Sequence, residues 1–278
     1  MPDMTPGVAC ALSPLVRRIV APNPSLFTGA GTNTYLVGID EVAVIDPGPA
    51  DVAHAEGVVG ASMSERVRWV LLTHTHPDHW PAAVRIKEMT GAEIAAFGKP
   101  PKCDGDVPVD RVLSDGDVIE GTEFGLEVIH TPGHAPNHVC FMLEEERVLF
   151  SGDHVLQGTT TVVVPESGGD MKAYLASLDR LRKLRRIARI CPGHGDVIEE
   201  PKALLDEYVA HRRMRERQIM KELRSGPARI PDLVARIYVD TPAGLHDLAA
   251  KQVHAHLLKL KAEGKVTGAS VKAAWKPA

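Results

Sequence analysis

The 278-residue sequence predicts an α/β fold followed by a small winged-helix-like α domain, and three observations carry that prediction. First, Val67-Arg68-Trp69-Val70-Leu71-Leu72 has the length and apolar, β-branched character of a strand buried on both faces. It runs straight into Thr73-His74-Thr75-His76-Pro77-Asp78-His79-Trp80, with three imidazoles and a carboxylate inside six residues. Second, three further strand-like runs end in His130-Thr131-Pro132-Gly133-His134, in Ser151-Gly152-Asp153-His154 and in Cys191-Pro192-Gly193-His194-Gly195. Open α/β sheets collect their sites at that rim, where side chains converge without filling the core. Third, the pattern after Pro201 changes to three helices and a short hairpin, the outline of a winged helix.

Taken in order, Val16 to Val20 reads as an edge strand stopped by Pro22 and Pro24. Gly29-Ala30-Gly31-Thr32-Asn33-Thr34-Tyr35-Leu36-Val37-Gly38 leads from a glycine turn into a strand, Val42 to Ile45 is its hairpin partner, and Asp46-Pro47-Gly48 ends that partner. The paired glycines enter a strand rather than a helix, which excludes a dinucleotide-binding turn; they suit close backbone approach at the rim instead. Residues 49–63 read as a small-residue helix, and residues 78–89 as a second one with Ala82, Ala83, Ile86 and Met89 on one face and Gly91 at its end. Strands follow at 94–97, 118–119 and 124–129, with a loop over 98–110. Residues 138–143 pair with 148–150 across an acidic turn. Asp170 caps a helix whose Met171, Tyr174, Leu175, Leu178, Leu181 and Leu184 fall at intervals of three and four. The six basic residues between Arg180 and Arg189 read as a solvated face, and 188–190 as the last strand. Beyond it come a long basic helix over 202–224 and helices over 231–238 and 245–263. The last carries Leu248, Val253, Leu257 and Leu260 inward, and a hairpin made by 265–268 with Val271 follows it. The expected domains are residues 1–200 and 201–278.

With 44% apolar and 24% charged residues, the chain has the composition of a soluble globular protein, and no apolar run approaches the ~20 residues that span a bilayer. The first residues have neither a basic start nor a long apolar core, so no secretory signal is expected and the cytoplasm is the expected location. Cys10, Cys103, Cys140 and Cys191 form no CxxC pair and read as free thiols. Charge is divided unevenly: residues 201–278 carry 15 Lys or Arg against 8 Asp or Glu, a balance of +7, and residues 1–200 come to −11. Such a split points to an anionic substrate or partner, or to docking of the two parts on each other. Arg212, Arg213, Arg215 and Arg217 on the long helix are the expected phosphate contacts.

His74, His76, Asp78, His79, His134, Asp153 and His194 make seven nitrogen or oxygen donors, more than one tetrahedral shell requires and enough for two divalent ions, zinc above all. His54, His211, His246, His254 and His256 read as surface or packing residues.

THTHPDH, TPGH, SGD and PGHG, in that order, resemble the metallo-β-lactamase superfamily over about residues 15–200. GTNTYLVG, SGDHVLQGTTT and the winged-helix tail further resemble the β-lactamase-like protein 2 family, whose mitochondrial member is a single-strand-specific endoribonuclease. The resemblance implies an αββα sandwich. It puts His74, His76 and His134 on one metal and Asp78, His79 and His194 on the other, with Asp153 bridging. Two such ions about 4 Å apart can hold a hydroxide between them, its pKa lowered towards about 7. Asp78 could also orient that hydroxide, and Asp46 resembles an aspartate that steadies the histidine loop in the family. Where many relatives have serine, this chain has His138, which reads either as a proton donor or substrate contact or as a packing residue behind the site. His154 occupies a variable position and receives no role.

The fold alone does not choose a substrate. His76, in place of the glutamate of the diiron flavoprotein branch, argues for hydrolysis. The resemblance and the basic tail make single-stranded RNA the leading candidate substrate. The alternative is an acyl ester or thioester, because the family is also similar to fungal thioesterases. A reading of another class is a winged-helix nucleic-acid-binding regulator with a metal-sensing sandwich, whose third helix would have to present base- or phosphate-contacting side chains.

Overall fold

Tyr35, Val37, Ala43, Ile45, Trp69 and Leu71 pack into one hydrophobic cluster and Leu36, Val42, Val44, Val70 and Leu72 into another, the period-two alternation of strands buried on both faces. This computed structural model describes residues 4–62, 64–184 and 186–278. Met1 to Asp3 at the start, Met63 at the end of the first expected helix and Arg185 in the basic run lie outside them. Seven strands form the first sheet in chain order: β1 (Cys10–Ala11), β2 (Val16–Val20), β3 (Asn33–Val37), β4 (Glu41–Ile45), β5 (Arg66–Leu71), β6 (Glu93–Phe97) and β7 (Arg111–Leu113). β1 to β4 are antiparallel, and from β4 onward the strands are parallel.

Each parallel step needs a crossover, and α1 (Val52–Ala61) and α2 (Ala82–Thr90) supply the first two. Ala55, Val58, Ala82, Ala83 and Ile86 of these helices cover the outer face of the sheet. Asp51 caps α1 by accepting the His54 amide at 2.6 Å. Helix α2 begins at Ala82, four residues later than its periodicity suggests, because Pro81, with no N–H to bond, sets φ to −60° at the helix entry and leaves Asp78 and His79 in a turn. Gly91 closes α2 in the left-handed conformation, as expected.

The second sheet has the order β12 (Arg189–Pro192), β11 (Val148–Gly152), β10 (Val139–Leu143), β9 (Gly125–His130), β8 (Val118–Glu120). Leu126, Val128, Val139, Phe141 and Phe150 from this sheet meet Tyr35, Trp69 and Leu71 of the first in the inter-sheet core. Cys191 is part of that core, and burial pushes its thiol up to about 12, so it is a packing residue.

The chain divides into two compact units, residues 1–131, 137–161 and 184–201, and residues 132–136, 162–183 and 202–278. The second holds α3 (Met171–Lys183), α4 (Pro201–Arg224), α5 (Ile230–Ile237), α6 (His246–Ala262) and the hairpin β13 (Val266–Thr267) with β14 (Lys276–Pro277). Asp170 caps α3, accepting the amides of Lys172 and Ala173 at 2.7 and 2.9 Å. Leu223, Leu233, Val253, Leu257, Leu260 and Val266 form the core of the helical region around Trp275. Two expectations are corrected here. The return strand of the hairpin is Lys276–Pro277 and not Val271, which is exposed, because the buried Trp275 determines where the chain comes back. Ala249 takes the buried position on α6, and Leu248 stays half-exposed.

The tail arginines are also corrected. Arg212 is 2% exposed and donates to Gln252 Oε1 at 3.1 Å, with its guanidinium 5.2 Å from the Tyr174 ring. Arg215 stacks on Tyr238 at 4.2 Å and donates to the Ile237 carbonyl. Both guanidiniums are spent inside the fold, leaving Arg213 and Arg217 on the surface. Among the described residues no helix is long and apolar enough to cross a membrane.

Candidate metal centre

Thr73 marks the point where β5 hands over to the histidine loop, and Asp46 at the end of β4 grips it there. Asp46 Oδ1 accepts the Thr73 amide at 2.8 Å, and Oδ2 accepts the Thr73 hydroxyl at 2.7 Å. The same Oδ2 lies 3.0 Å from His79 Nδ1, which fixes the ring with Nε2 facing inward. That buried Nε2 has no hydrogen-bond partner and lies 3.5 Å from Asp153 Oδ1 and 3.6 Å from Asp78 Oδ2. Asp46 thus holds the loop as the resemblance implied.

Across the sandwich, the second sheet delivers Asp153 after β11 and His194 after β12. His194 Nε2 lies 3.3 Å from both Asp78 Oδ2 and Asp153 Oδ1, and its Nδ1 is 3.3 Å from the Gly31 carbonyl. Gly31 has a φ of +146°, and a side chain there would run into the Ala21 carbonyl. Gly193 is equally constrained, since a Cβ would meet Asp153 Oδ1 at 2.7 Å and His79 Cε1 at 2.9 Å. Asn33 ties the two sheets together at this point: its amide nitrogen donates to the carbonyls of Pro192 and Gly195 at 2.9 and 2.8 Å. Tyr35 adds its hydroxyl to Pro192 O at 2.7 Å, and Thr32 donates to Asp78 O at 3.0 Å. Sequence reasoning missed Asn33 and Tyr35 as supports of the site. No local signal marks them, since Thr34 between them is polar too and their partners lie about 160 residues along the chain.

His74 Nε2 and His76 Nδ1 are 3.0 Å apart, and His134 Nδ1 is 2.7 Å from Val162 O. Three sets of side chains present donor atoms that all lie within 4.8 Å of one another: His74, His76 and His134; His74, His79 and Asp153; Asp78, His79 and His194. All seven expected residues fall in these sets. His138 is fully buried, with Nδ1 2.9 Å from Thr131 Oγ1 and Nε2 accepting the Asp153 amide at 3.2 Å. His154 is buried too, its ring centre 5.7 Å from that of His138.

The electrostatics follow from the packing of acids against imidazoles. Burial alone would raise the Asp78 carboxyl, but His79 and His194 bring it down to about 2. Burial likewise opposes ionisation of Asp153, and His194 and His79 hold it well below the usual carboxylate range. Burial pulls His194 down, yet Asp153 and Asp78 push it up to about 9; Asp78, Asp153 and Asp46 raise His79 as well. A neutral imidazole is a ligand and an imidazolium is not, so a divalent cation would take over the role the protons play in this cluster. Nitrogen and oxygen donors, an inward Nε2 with no hydrogen-bond partner and a carboxylate between two imidazoles fit divalent ions.

Residues 27–194 match the model of the metallo-β-lactamase superfamily, and residues 230–275 match the β-lactamase-associated winged-helix domain. The chain is 35% identical to a β-lactamase-like protein 2 homologue from Caenorhabditis elegans, over 92% of this chain and 87% of the relative. It is 30% identical to a protein from a Cryptosporiopsis species named atrochrysone carboxyl ACP thioesterase, over 92% and 82% of the two chains. A crystal structure of a metallo-β-lactamase family protein from Thermus thermophilus superposes with a TM-score of 0.79 at 26% identity, covering 96% of this chain and all of that one.

Proposed function

The chain belongs to the metallo-β-lactamase superfamily and is a metal-dependent hydrolase with that fold and a C-terminal winged-helix domain, and from this premise we propose that it cleaves acyl thioesters or esters at two zinc ions. The carrying observation is the convergence of seven donors into overlapping sets. His74, His76 and His134 would hold one ion and Asp78, His79 and His194 the other, with Asp153 shared. When bound, the ions supply the Lewis acidity that polarises a scissile carbonyl and acidifies a water. Asp46, Thr73 and Gly31 orient the imidazoles. Asp78, whose side chain is 33% exposed, can accept a hydrogen bond from an incoming water. His138 braces the Asp153 backbone and is a positioning residue. Residues 1–200 would carry the chemistry and 201–278 the recognition of a partner.

Similarity over nearly the whole chain to a protein named as an ACP thioesterase supports the substrate class. Single-stranded RNA is the second reading. Exposed Arg213 and Arg217 favour it, and the internal use of Arg212 and Arg215 removes half of the expected phosphate contacts. The regulator reading loses support because residues 252–257 of α6 are all buried and Lys259 is held by Glu216 and Glu263 at 2.7 and 2.8 Å. The test is a turnover screen of purified protein against acyl thioesters, lactones and single-stranded RNA, with metal content measured on the same sample. Thioester hydrolysis that chelation abolishes and zinc restores, and that Asp153→Ala lacks while remaining folded, is the expected result. RNA cleavage without thioester turnover would replace this reading.

A further inference from the structure

Arg213, Arg217, Met220 and Arg224 recur at intervals of four, three and four along α4 and so share one face of that helix. With Leu260 of α6 and Lys265 beyond its end, they line an open groove of about 630 Å³ inside the second unit. Arg213 and Arg224 stand about 16 Å apart along the helix axis. Glu216, the acidic residue of the lining, is held by Lys259 at 2.7 Å, and Lys265 meets Glu263 at 2.7 Å. Arg213 lies 3.8 Å from Asp179. Among the described residues, Arg217 and Arg224 have no ion-pair partner, and both are exposed.

Arg217 and Arg224, beside the already paired Arg213 and Lys265, present a positive field that an anionic partner would relieve. The floor chooses between the two kinds of anionic macromolecule. Proteins that bind single strands stack bases on aromatic rings beside their phosphate contacts, and among the described residues no aromatic ring lines this groove. Met220 and Leu260 line it, with the aliphatic stems of the arginines beside them. Leu260 is buried beneath the groove, so Met220 and the aliphatic stems of the arginines supply its apolar surface; a flexible thioether flanked by cations matches the apolar stripe and flanking carboxylates of an amphipathic helix.

We propose that this groove docks an acidic amphipathic helix of the carrier protein that presents the acyl thioester. The identity of the carrier rests on the thioesterase reading above; the preference of the groove for an acidic helix does not. The test uses the full-length, metal-loaded protein, the pair Arg217→Glu with Arg224→Glu, and the milder pair Arg217→Gln with Arg224→Gln, which carries the test if the first fails to fold. Calorimetric titration with an unloaded, acidic acyl carrier protein should show binding that weakens about tenfold or more in the Glu pair, less in the Gln pair, and also with added salt. In turnover, kcat/KM for a carrier-borne acyl thioester should fall about tenfold through KM, while a small acyl thioester without the carrier changes less than about twofold. Carrier binding that depends on these arginines, in a wild-type protein that turns over neither thioester, would sink the thioesterase reading and uphold the groove. Carrier binding or carrier-borne turnover unchanged in the Glu pair overturns the proposal. So does arginine-dependent binding of a single-stranded oligouridylate in place of the carrier.

Discussion

Asp46 adopts a φ of +49°, a left-handed conformation that few non-glycine residues take, and the strain sets its carboxylate beneath the histidine loop. One carboxylate accepts from an amide, a hydroxyl and an imidazole at once, which an isosteric amide cannot do. Asp46→Asn is therefore expected to weaken metal affinity about ten- to a hundredfold, read by competition with a chromophoric chelator. Unchanged affinity would remove Asp46 from the support of the site. His138 calls for a different measurement, because a proton donor and a brace would both lower kcat when replaced. If it braces Asp153, His138→Asn should reduce kcat while the pH–rate profile keeps both of its limbs; loss of the alkaline limb would mean that His138 delivers a proton. The candidate ligands are legible in the sequence because histidines and aspartates at the ends of apolar runs have no packing role to explain them. Asn33 and Tyr35 are not legible, since their partners, Pro192 and Gly195, lie far along the chain and only the folded sheets bring them together.

At the scale of elements, periodicity finds most helices and strands of the sandwich, because each buries one face or both against a single core, and it misses β1 and β7, edge strands of two and three residues that are too short to show a period. It fails where a distant side chain decides, as Trp275 does for the hairpin, and where a proline decides, as Pro81 does for α2. It also cannot tell a surface arginine from one threaded into a core, which is the fate of Arg212. That internal use of cations has a consequence for α4. His211 lies among Arg212, Arg215 and His256; burial first and then their positive charge bring it down to about 4. In the unfolded chain it titrates near 6.5, so folding favours the neutral ring. Its contribution to stability is complete above about pH 6.5 and is lost as the pH falls towards 4. His211→Gln keeps a neutral polar group there, and Tm should fall less steeply between pH 7 and 5 than in the wild type. Parallel curves for the two proteins would mean that His211 titrates alike in both states.

For the whole molecule, composition places a boundary at Pro201, where the charge balance turns from acidic to basic, and packing places it elsewhere. Residues 162–183 belong to the same compact unit as the tail. Gln252 of α6 donates to the Val163 carbonyl at 3.1 Å, His254 lies 3.1 Å from Glu166, and Arg182 of α3 donates to Asp206 of α4 at 2.6 Å. None of these pairings leaves a trace in local sequence, because they join segments about 24 to 89 residues apart whose polar members look like ordinary surface. A chain cut at Pro201 would keep α3 and the 162–170 segment while removing their helical partners, exposing the Val163 carbonyl and the apolar stripe of α3 to water. The loss of one buried hydrogen-bonded pair and part of a helix interface is worth several kcal/mol, which for a protein of this size lowers Tm by about 10 °C or more. Size-exclusion chromatography and a thermal melt of the truncated chain read this directly. Aggregation or a strongly lowered Tm is expected, and a monodisperse protein melting within a few degrees of the full chain would return residues 162–183 to the sandwich and make the charge boundary the structural one.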